Sequence, residues 1–182
     1  MGEVVALLQL NPTVGDIESN ASEIERAAAL AASNGASVAW TCELAVCGYP
    51  PRDLLLEDGF VEQCQAAASA VDSPIPLIVG SPIDSGSERT KPANGAVRVG
   101  PGGSGEVTCR KQLLPTYDVF DEARYFEPNL DAGLTAAAGM RLGVTICEDA
   151  WQHVGDVPSD YSTDTIEQLS EWQQRDGPLE RR

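Results

Sequence analysis

Three apolar, strand-like runs in this 182-residue chain each end on one residue able to do chemistry. Glu43 follows Val38-Ala39-Trp40-Thr41-Cys42, Lys111 follows Val107-Thr108-Cys109-Arg110, and Cys147 follows Leu142-Gly143-Val144-Thr145-Ile146. A carboxylate, an ammonium and a thiol provide a base, a stabiliser of developing negative charge and a nucleophile. That set can hydrolyse an amide through a covalent thioester. An ordinary thiol is mostly protonated at neutral pH, so Cys147 needs a neighbouring base, and Glu43 is the candidate. Once protonated, Glu43 can pass the proton to departing ammonia and later activate the water that releases the acid. Lys111, with a backbone N–H beside Cys147 such as that of Glu148, would face the oxyanion of the tetrahedral intermediate. Taken singly these residues say little, because a free cysteine is usually a small packing unit and a lone Glu or Lys a solvated charge. Cys42, Cys64 and Cys109 keep the packing role, and Cys47 is a loop or packing residue. The joint pattern is what points to catalysis.

The elements that must present these residues read as alternating strands and helices. Val4 to Leu10 is a short apolar run closed by Asn11-Pro12, which predicts a buried strand and a turn. Asn20 with Glu23 three residues on predicts a helix start. Ile24, Ala27, Ala28 and Ala31 recur at helical spacing, and Asn34-Gly35 marks the stop. Ser37 to Cys42 is the next strand, giving a βαβ unit with Glu43 at a carboxyl strand end, where open α/β layers place ligands. Gly48-Tyr49-Pro50-Pro51-Arg52-Asp53 is a loop, followed by a helix through Phe60, Cys64 and Ala67. Ile75 to Val79 predicts a third strand, and Ser81 to Pro92 a polar loop. Ala96–Val99 and Glu106–Arg110 flank the glycine-rich Gly100–Gly105 as an antiparallel hairpin that Lys111 leaves. Arg141 to Ile146 predicts the strand that delivers Cys147. Asp164 with Glu167, and Ile166, Leu169 and Trp172, predict a final helix before the polar tail 173–182. No internal repeat or second-domain pattern is visible.

Composition narrows the partners. Twelve Lys and Arg against 28 Asp and Glu leave a net charge of −16, which disfavours nucleic acid and anionic membrane surfaces. No leader-like start and no apolar run of the roughly 18–20 residues needed to cross a bilayer is present, so the expectation is a cytoplasmic protein. Five cysteines form an odd set without paired spacing and read as reduced thiols. With His153 the single histidine and no CxxC, no metal site is expected.

The residues around the three chemical positions also carry a resemblance. Glu43-Leu44-Ala45-Val46-Cys47-Gly48-Tyr49-Pro50-Pro51-Arg52-Asp53-Leu54-Leu55, the stretch from Arg110 to Phe126, and Ile146-Cys147-Glu148-Asp149-Ala150-Trp151 resemble the three signature blocks of the nitrilase, or carbon-nitrogen hydrolase, superfamily. Gly-Tyr-Pro-Pro-x-Asp-Leu-Leu, Val-Phe-Asp-Glu-x-Arg-Tyr-Phe and the opening Gln9-Leu10-Asn11-Pro12-Thr13-Val14-Gly15-Asp16 are similar to the glutaminase domains of glutamine-dependent NAD synthetases. The resemblance runs from about Val4 to about Trp172. It implies an α/β fold, a nitrilase-like αββα sandwich, and a Glu-Lys-Cys triad that maps onto Glu43, Lys111 and Cys147. It also implies that Tyr117 helps hold glutamine and that Glu122 positions the lysine. By residue type alone, Tyr117 reads equally as a packed aromatic and Glu122 as an ion-pair partner of Arg124 or Lys111. Glu148 and Asp149 read either as supports of the nucleophile turn or as surface charges.

Set against that family, residues 1–172 correspond to part of a glutaminase domain, with the later strands and helices of the sandwich expected to be missing. No SGGxDS-like phosphate loop occurs, so ATP and magnesium would belong to a synthetase domain not contained in this sequence, and the glutaminase step needs no cofactor. The implied partners are glutamine, a synthetase domain or separate chain that takes the ammonia to amidate deamido-NAD, and further copies of the chain in a homo-oligomer. Two alternatives stand beside this reading: a stand-alone nitrilase-type amidase acting on another small amide, and a noncatalytic fragment that only binds or assembles.

Overall fold

The computed structural model describes residues 3–86, 91–129 and 133–150, so the helix expected near Ile166–Trp172, the boundary at 172 and the tail 173–182 lie outside the described residues. The chain opens with strand β1 (Val5–Leu7), helix α1 (Ile17–Ser33) and strand β2 (Val38–Trp40). β1 and β2 pair in parallel with Val5 opposite Val38, the expected βαβ unit. The start of α1 differs from the expectation: Asp16, not Asn20, is the N-cap, its side chain accepting from the Ser19 N–H at 3.2 Å. Asn20 lies one turn inside and is buried. Its Nδ2 donates to the carbonyls of Thr13 (2.8 Å) and Val46 (3.0 Å), and its Oδ1 accepts from Thr13 N–H (2.8 Å). A cap needs one acceptor, whereas this amide uses both ends to pin the turn after β1 to the segment behind Glu43.

Helix α2 (Phe60–Ala70) packs beside α1 and leads to β3 (Leu77–Ile83), parallel to β2. β3 continues through Ser81-Pro82-Ile83, which the sequence assigned to a loop, and β4 (Ala93–Val99) starts three residues earlier than expected. The two pair antiparallel from Leu77–Val99 to Ile83–Ala93. Polar and proline letters hid these strand ends because here they are interior. Ser81 and Asn94 are fully buried, and Pro82 sits opposite Asn94. β5 (Glu106–Arg110) returns antiparallel to β4, completing the order β1-β2-β3-β4-β5.

Period-two alternation divides the sheet into two faces. Leu77, Val79, Val97 and Val99 pack with Ile24, Ala28, Cys64 and Ala68 under the helices. Ile78 and Ala96 turn the other way and join Cys109, Val144, Ile146 and Trp40. A β-bulge decides where Lys111 goes. Ala96 pairs with Cys109 while Val97 pairs with Val107, so Thr108 is an extra residue. Val107 therefore packs toward the helices, and Cys109, followed two residues later by Lys111, turns to the opposite face.

The strand expected over Arg141–Ile146 stops at Gly143. It is β7 (Met140–Gly143), paired with β6 (Leu134–Ala137) in a separate two-stranded sheet. Val144 and Ile146 instead lay their side chains on the second face of the main sheet, anchored by Val144 N–H to the Gly133 carbonyl at 2.6 Å. Packing on that face replaces strand pairing and carries the chain to Cys147. A four-residue helix, α3 (Glu122–Tyr125), closes the same side. Among the described residues no helix is long and apolar enough to cross a membrane.

Candidate active site

Lys111 is the centre of the second face. Its side chain is fully buried, with Nζ 2.7 Å from Glu43 Oε1 and 2.7 Å from Glu122 Oε2. An ammonium without water survives only when paired, and two carboxylates do that here. Burial pulls the Lys111 pKa down, but Glu43 and Glu122 outweigh it and hold it above the ordinary lysine value. Burial raises Glu122 above the usual carboxylate range against the opposing pull of Lys111. Of the two ion-pair partners considered for Glu122, the lysine is therefore the one it has. Arg124 instead lies 3.9 Å from Asp121 and over the Tyr125 ring. Tyr49 adds a donor to the cluster, its hydroxyl bonding Glu122 Oε1 at 2.9 Å.

Glu43 is held at both its backbone and its carboxylate. A Cβ on Gly80 of β3 would collide with the Cys42 carbonyl and with Leu44 N, so glycine there lets the Glu43 segment lie against the sheet. Thr41 Oγ1 accepts from Gly80 N–H at 2.9 Å, and the Gly80 carbonyl accepts from Val46 N–H at 3.1 Å. Asn94, in β4, donates Nδ2–H to Glu43 Oε1 at 2.6 Å.

Cys147 opens a 3-10 turn (Cys147–Ala150) with φ +48°, in the left-handed region that non-glycine residues rarely adopt, and it is exposed. Leu44, directly after Glu43, and Asp118, directly after Tyr117, share this conformation. Glu43 and Cys147 line one cavity of about 250 Å³, together with Trp40, Cys42, Ile78 and Ile146. Burial first, then the Glu43 charge, push the Cys147 thiol up, with Lys111 acting in the opposite direction. The Cys147 thiol is thus favoured over its thiolate, beside Glu43 and Lys111.

Glu148 is buried, and its Oε2 accepts from the Tyr117 hydroxyl at 2.8 Å. Tyr117 is half exposed and packs edge-on to Phe120, which also meets Tyr49. Asp149 is buried too. Its Oδ1 accepts from Leu113 N–H (2.8 Å) and Gln112 N–H (3.1 Å), and its Oδ2 from Ile146 N–H (3.3 Å). It thereby ties the turn carrying the thiol to the segment leaving Lys111. Neither acid after Cys147 is a surface charge: both are buried, Asp149 on backbone N–H groups and Glu148 on the Tyr117 hydroxyl. Glu43, Lys111, Glu122 and Cys147 come together on one face, with Tyr117 and Glu148 at its edge. Tyr49 and Asn94 escaped the sequence reading. The available signal was polar Asn94 inside the strand Ala-Asn-Gly-Ala-Val-Arg-Val.

This fold and site define a class. The chain belongs to the carbon-nitrogen hydrolase family, whose pattern matches residues 4–155. It is 44% identical over 155 residues to the glutamine-dependent NAD(+) synthetase of Synechocystis sp., covering 81% of this chain and 28% of that protein. The solved glutamine-dependent NAD+ synthetase of Acinetobacter baumannii, in complex with ADP, superposes with a TM-score of 0.74 at 33% identity over 93% of this chain and 30% of that one. An amidase from Nesterenkonia sp. AN1 is 27% identical with a TM-score of 0.67, covering 80% of this chain and 56% of that one. That amidase structure shows covalent addition of the acetamide moiety of fluoroacetamide at its active-site cysteine. The chain has the nitrilase-type α/β fold and spans less than a third of the length of the synthetases it matches.

Proposed function

We propose that this chain carries the glutamine amide hydrolysis that supplies ammonia for NAD synthesis from deamido-NAD, with Cys147 as nucleophile, Glu43 as general base and acid, and Lys111 as charge stabiliser. The observation that carries the reading is the buried Lys111 held between Glu43 and Glu122, on the face where Glu43 and Cys147 share a cavity. Because the thiol is held protonated, Glu43 takes its proton as sulfur attacks the amide carbon. An ammonium has three donors, and Glu43 Oε1 and Glu122 Oε1 use two, leaving one to meet the oxyanion beside the Glu148 backbone N–H. Collapse of the intermediate returns the proton from Glu43 to the leaving nitrogen and leaves a thioester. Glu43 then deprotonates water, which cleaves the thioester to glutamate and restores the thiol. In this reading Glu122 positions the lysine and Tyr117, its hydroxyl on Glu148, helps hold the substrate.

The glutaminase step uses no cofactor in this reading, and ATP and magnesium act in a synthetase domain or chain that receives the ammonia. The protein works in the cytoplasm as a homo-oligomer. The test is glutamate release by the full chain and by Cys147→Ala, with intact mass after treatment with a diazoketone glutamine analogue. Turnover and a single adduct, both lost in the variant, are the expected result. Equal background from both proteins would overturn it. The likeness to the Nesterenkonia amidase supports a second reading, a stand-alone amidase. Turnover of short aliphatic amides in preference to glutamine would favour that reading.

A further inference from the structure

We infer that Asn94 is a positioning residue of the catalytic carboxylate: it fixes the spacing of Glu43 and Lys111 and reserves Glu43 Oε2 as the oxygen that receives the Cys147 proton. The inference rests on the reading of Glu43 as base and carries it to a single atom.

One residue reaches both partners by different groups. The Asn94 carbonyl accepts from the backbone N–H of Lys111 at 2.8 Å, fixing where the lysine leaves the sheet. The Asn94 side chain donates to Glu43 Oε1 at 2.6 Å. Lys111 Nζ donates to that same Oε1 at 2.7 Å, and among the described residues Oε2 receives no hydrogen bond. Two donors on one oxygen lower its basicity and hold the carboxylate plane, so the lone pairs of Oε2 remain for proton transfer. The cost of this arrangement is visible. Asn94 is fully buried, and its Oδ1 has no partner among the described residues. A buried unpaired carbonyl is unfavourable, so the site is not one that packing alone would give to asparagine. The strand register explains how it gets there. Asn94 and Ala96 lie on one face of β4, and the bulge at Thr108 brings Lys111 round to that same face.

The test follows alkylation of Cys147 by chloroacetamide, read by intact mass between about pH 4 and pH 9, with Cys147→Ala setting the background. This measurement needs no assumption about the substrate. The titratable groups around Glu43 are Lys111, Glu122, Tyr49, Cys42 and Cys147, and they are the same in every Asn94 variant. Losing a hydrogen bond to a charged carboxylate makes the charged form harder to reach, so the acid limb of Asn94→Ala moves up by about one pH unit. Asn94→Asp keeps the side-chain shape, removes the donor and adds a like charge, so its limb moves further in the same direction. A role in packing alone would leave the Asn94→Ala limb in place. Glu43→Gln separates the two ideas. If it abolishes the limb while Asn94→Ala keeps the unaltered limb, the Asn94 inference alone is overturned. If Glu43→Gln keeps the limb, Glu43 is not the base and the proposed mechanism falls with it.

Discussion

The two faces of the five-stranded sheet are built from alternate residues of the same strands, yet they spend their side chains in opposite ways. On the helix side Leu77, Val79, Val97 and Val99 meet Ile24, Ala28, Cys64 and Ala68, none of which carries a charge. Burying each such large side chain contributes about 1.5–3 kcal/mol. On the other side Asn94 and Lys111 are fully buried, Glu122 and Asp149 nearly so, and Cys147 holds a left-handed backbone conformation. Desolvated charges and strained backbone cost free energy, so this face is carried by the first one. The difference teaches which substitutions will separate activity from stability.

The sharpest way to break the contrast is Lys111→Met. Removing the ammonium leaves two carboxylates facing each other without a cation, so activity falls by about 10²–10³-fold. Stability also drops, by about 3–5 kcal/mol, because one partner of a buried cluster has gone. The residual carboxylates then favour their protonated forms, so this variant regains stability as the pH is lowered. Urea unfolding at several pH values beside a turnover assay checks all three effects. An active, stable Lys111→Met protein would show that the second face is ordinary core.

Ile24→Ala asks the converse question. This residue is fully buried on α1, on the face of the sheet opposite Ile146 and Cys147, and its loss costs about 2–5 kcal/mol. Turnover per folded molecule should not change. Denaturant midpoints with activity corrected for the folded fraction decide this, and a fall in specific activity would mean that the helix layer tunes the site directly.

Much of this division was legible in the residues. Runs ending on Glu43, Lys111 and Cys147 marked residues that the fold brings to one face, and the spacing of Ile24, Ala28 and Ala31 marked α1. What escaped was whatever depends on register. Nothing in Val107-Thr108-Cys109 announces that Thr108 is a bulge, yet that one residue decides whether Lys111 faces the helices or the thiol. Ser81 looked like a loop letter, and Asn94 gave no strand signal because a buried polar side chain makes sense only once its partner, here Glu43, is known. Asn20 carried the letter of a helix cap, a role that Asp16 takes, because a local pattern cannot reveal that its amide reaches Val46, 26 positions away. The end of the strand at Gly143 was hidden for a related reason: Val144 and Ile146 are β-formers whose packing partners lie on another sheet.

The finest test lies at Asp149, where the two faces' rules meet in one carboxylate. Burial pushes its pKa up to about 6, while the N–H groups of Leu113, Ile146 and Gln112 and the charge of Lys111 act the other way. In the unfolded chain the same group titrates near 3.9. A carboxyl whose folded pKa lies above its unfolded one gives its full contribution below about pH 4 and loses it as the pH rises through about 6. The wild type should therefore lose stability over that window relative to Asp149→Asn, by an amount on the order of 1–3 kcal/mol. Below the window the two should nearly coincide, since a protonated Asp149 and an asparagine offer the same single carbonyl to Leu113 and Gln112. Urea midpoints at half-unit steps of pH resolve the slope. If the wild type instead gains stability over Asp149→Asn as the pH rises, the three N–H groups outweigh burial, and Asp149 stabilises the nucleophile turn through its charge.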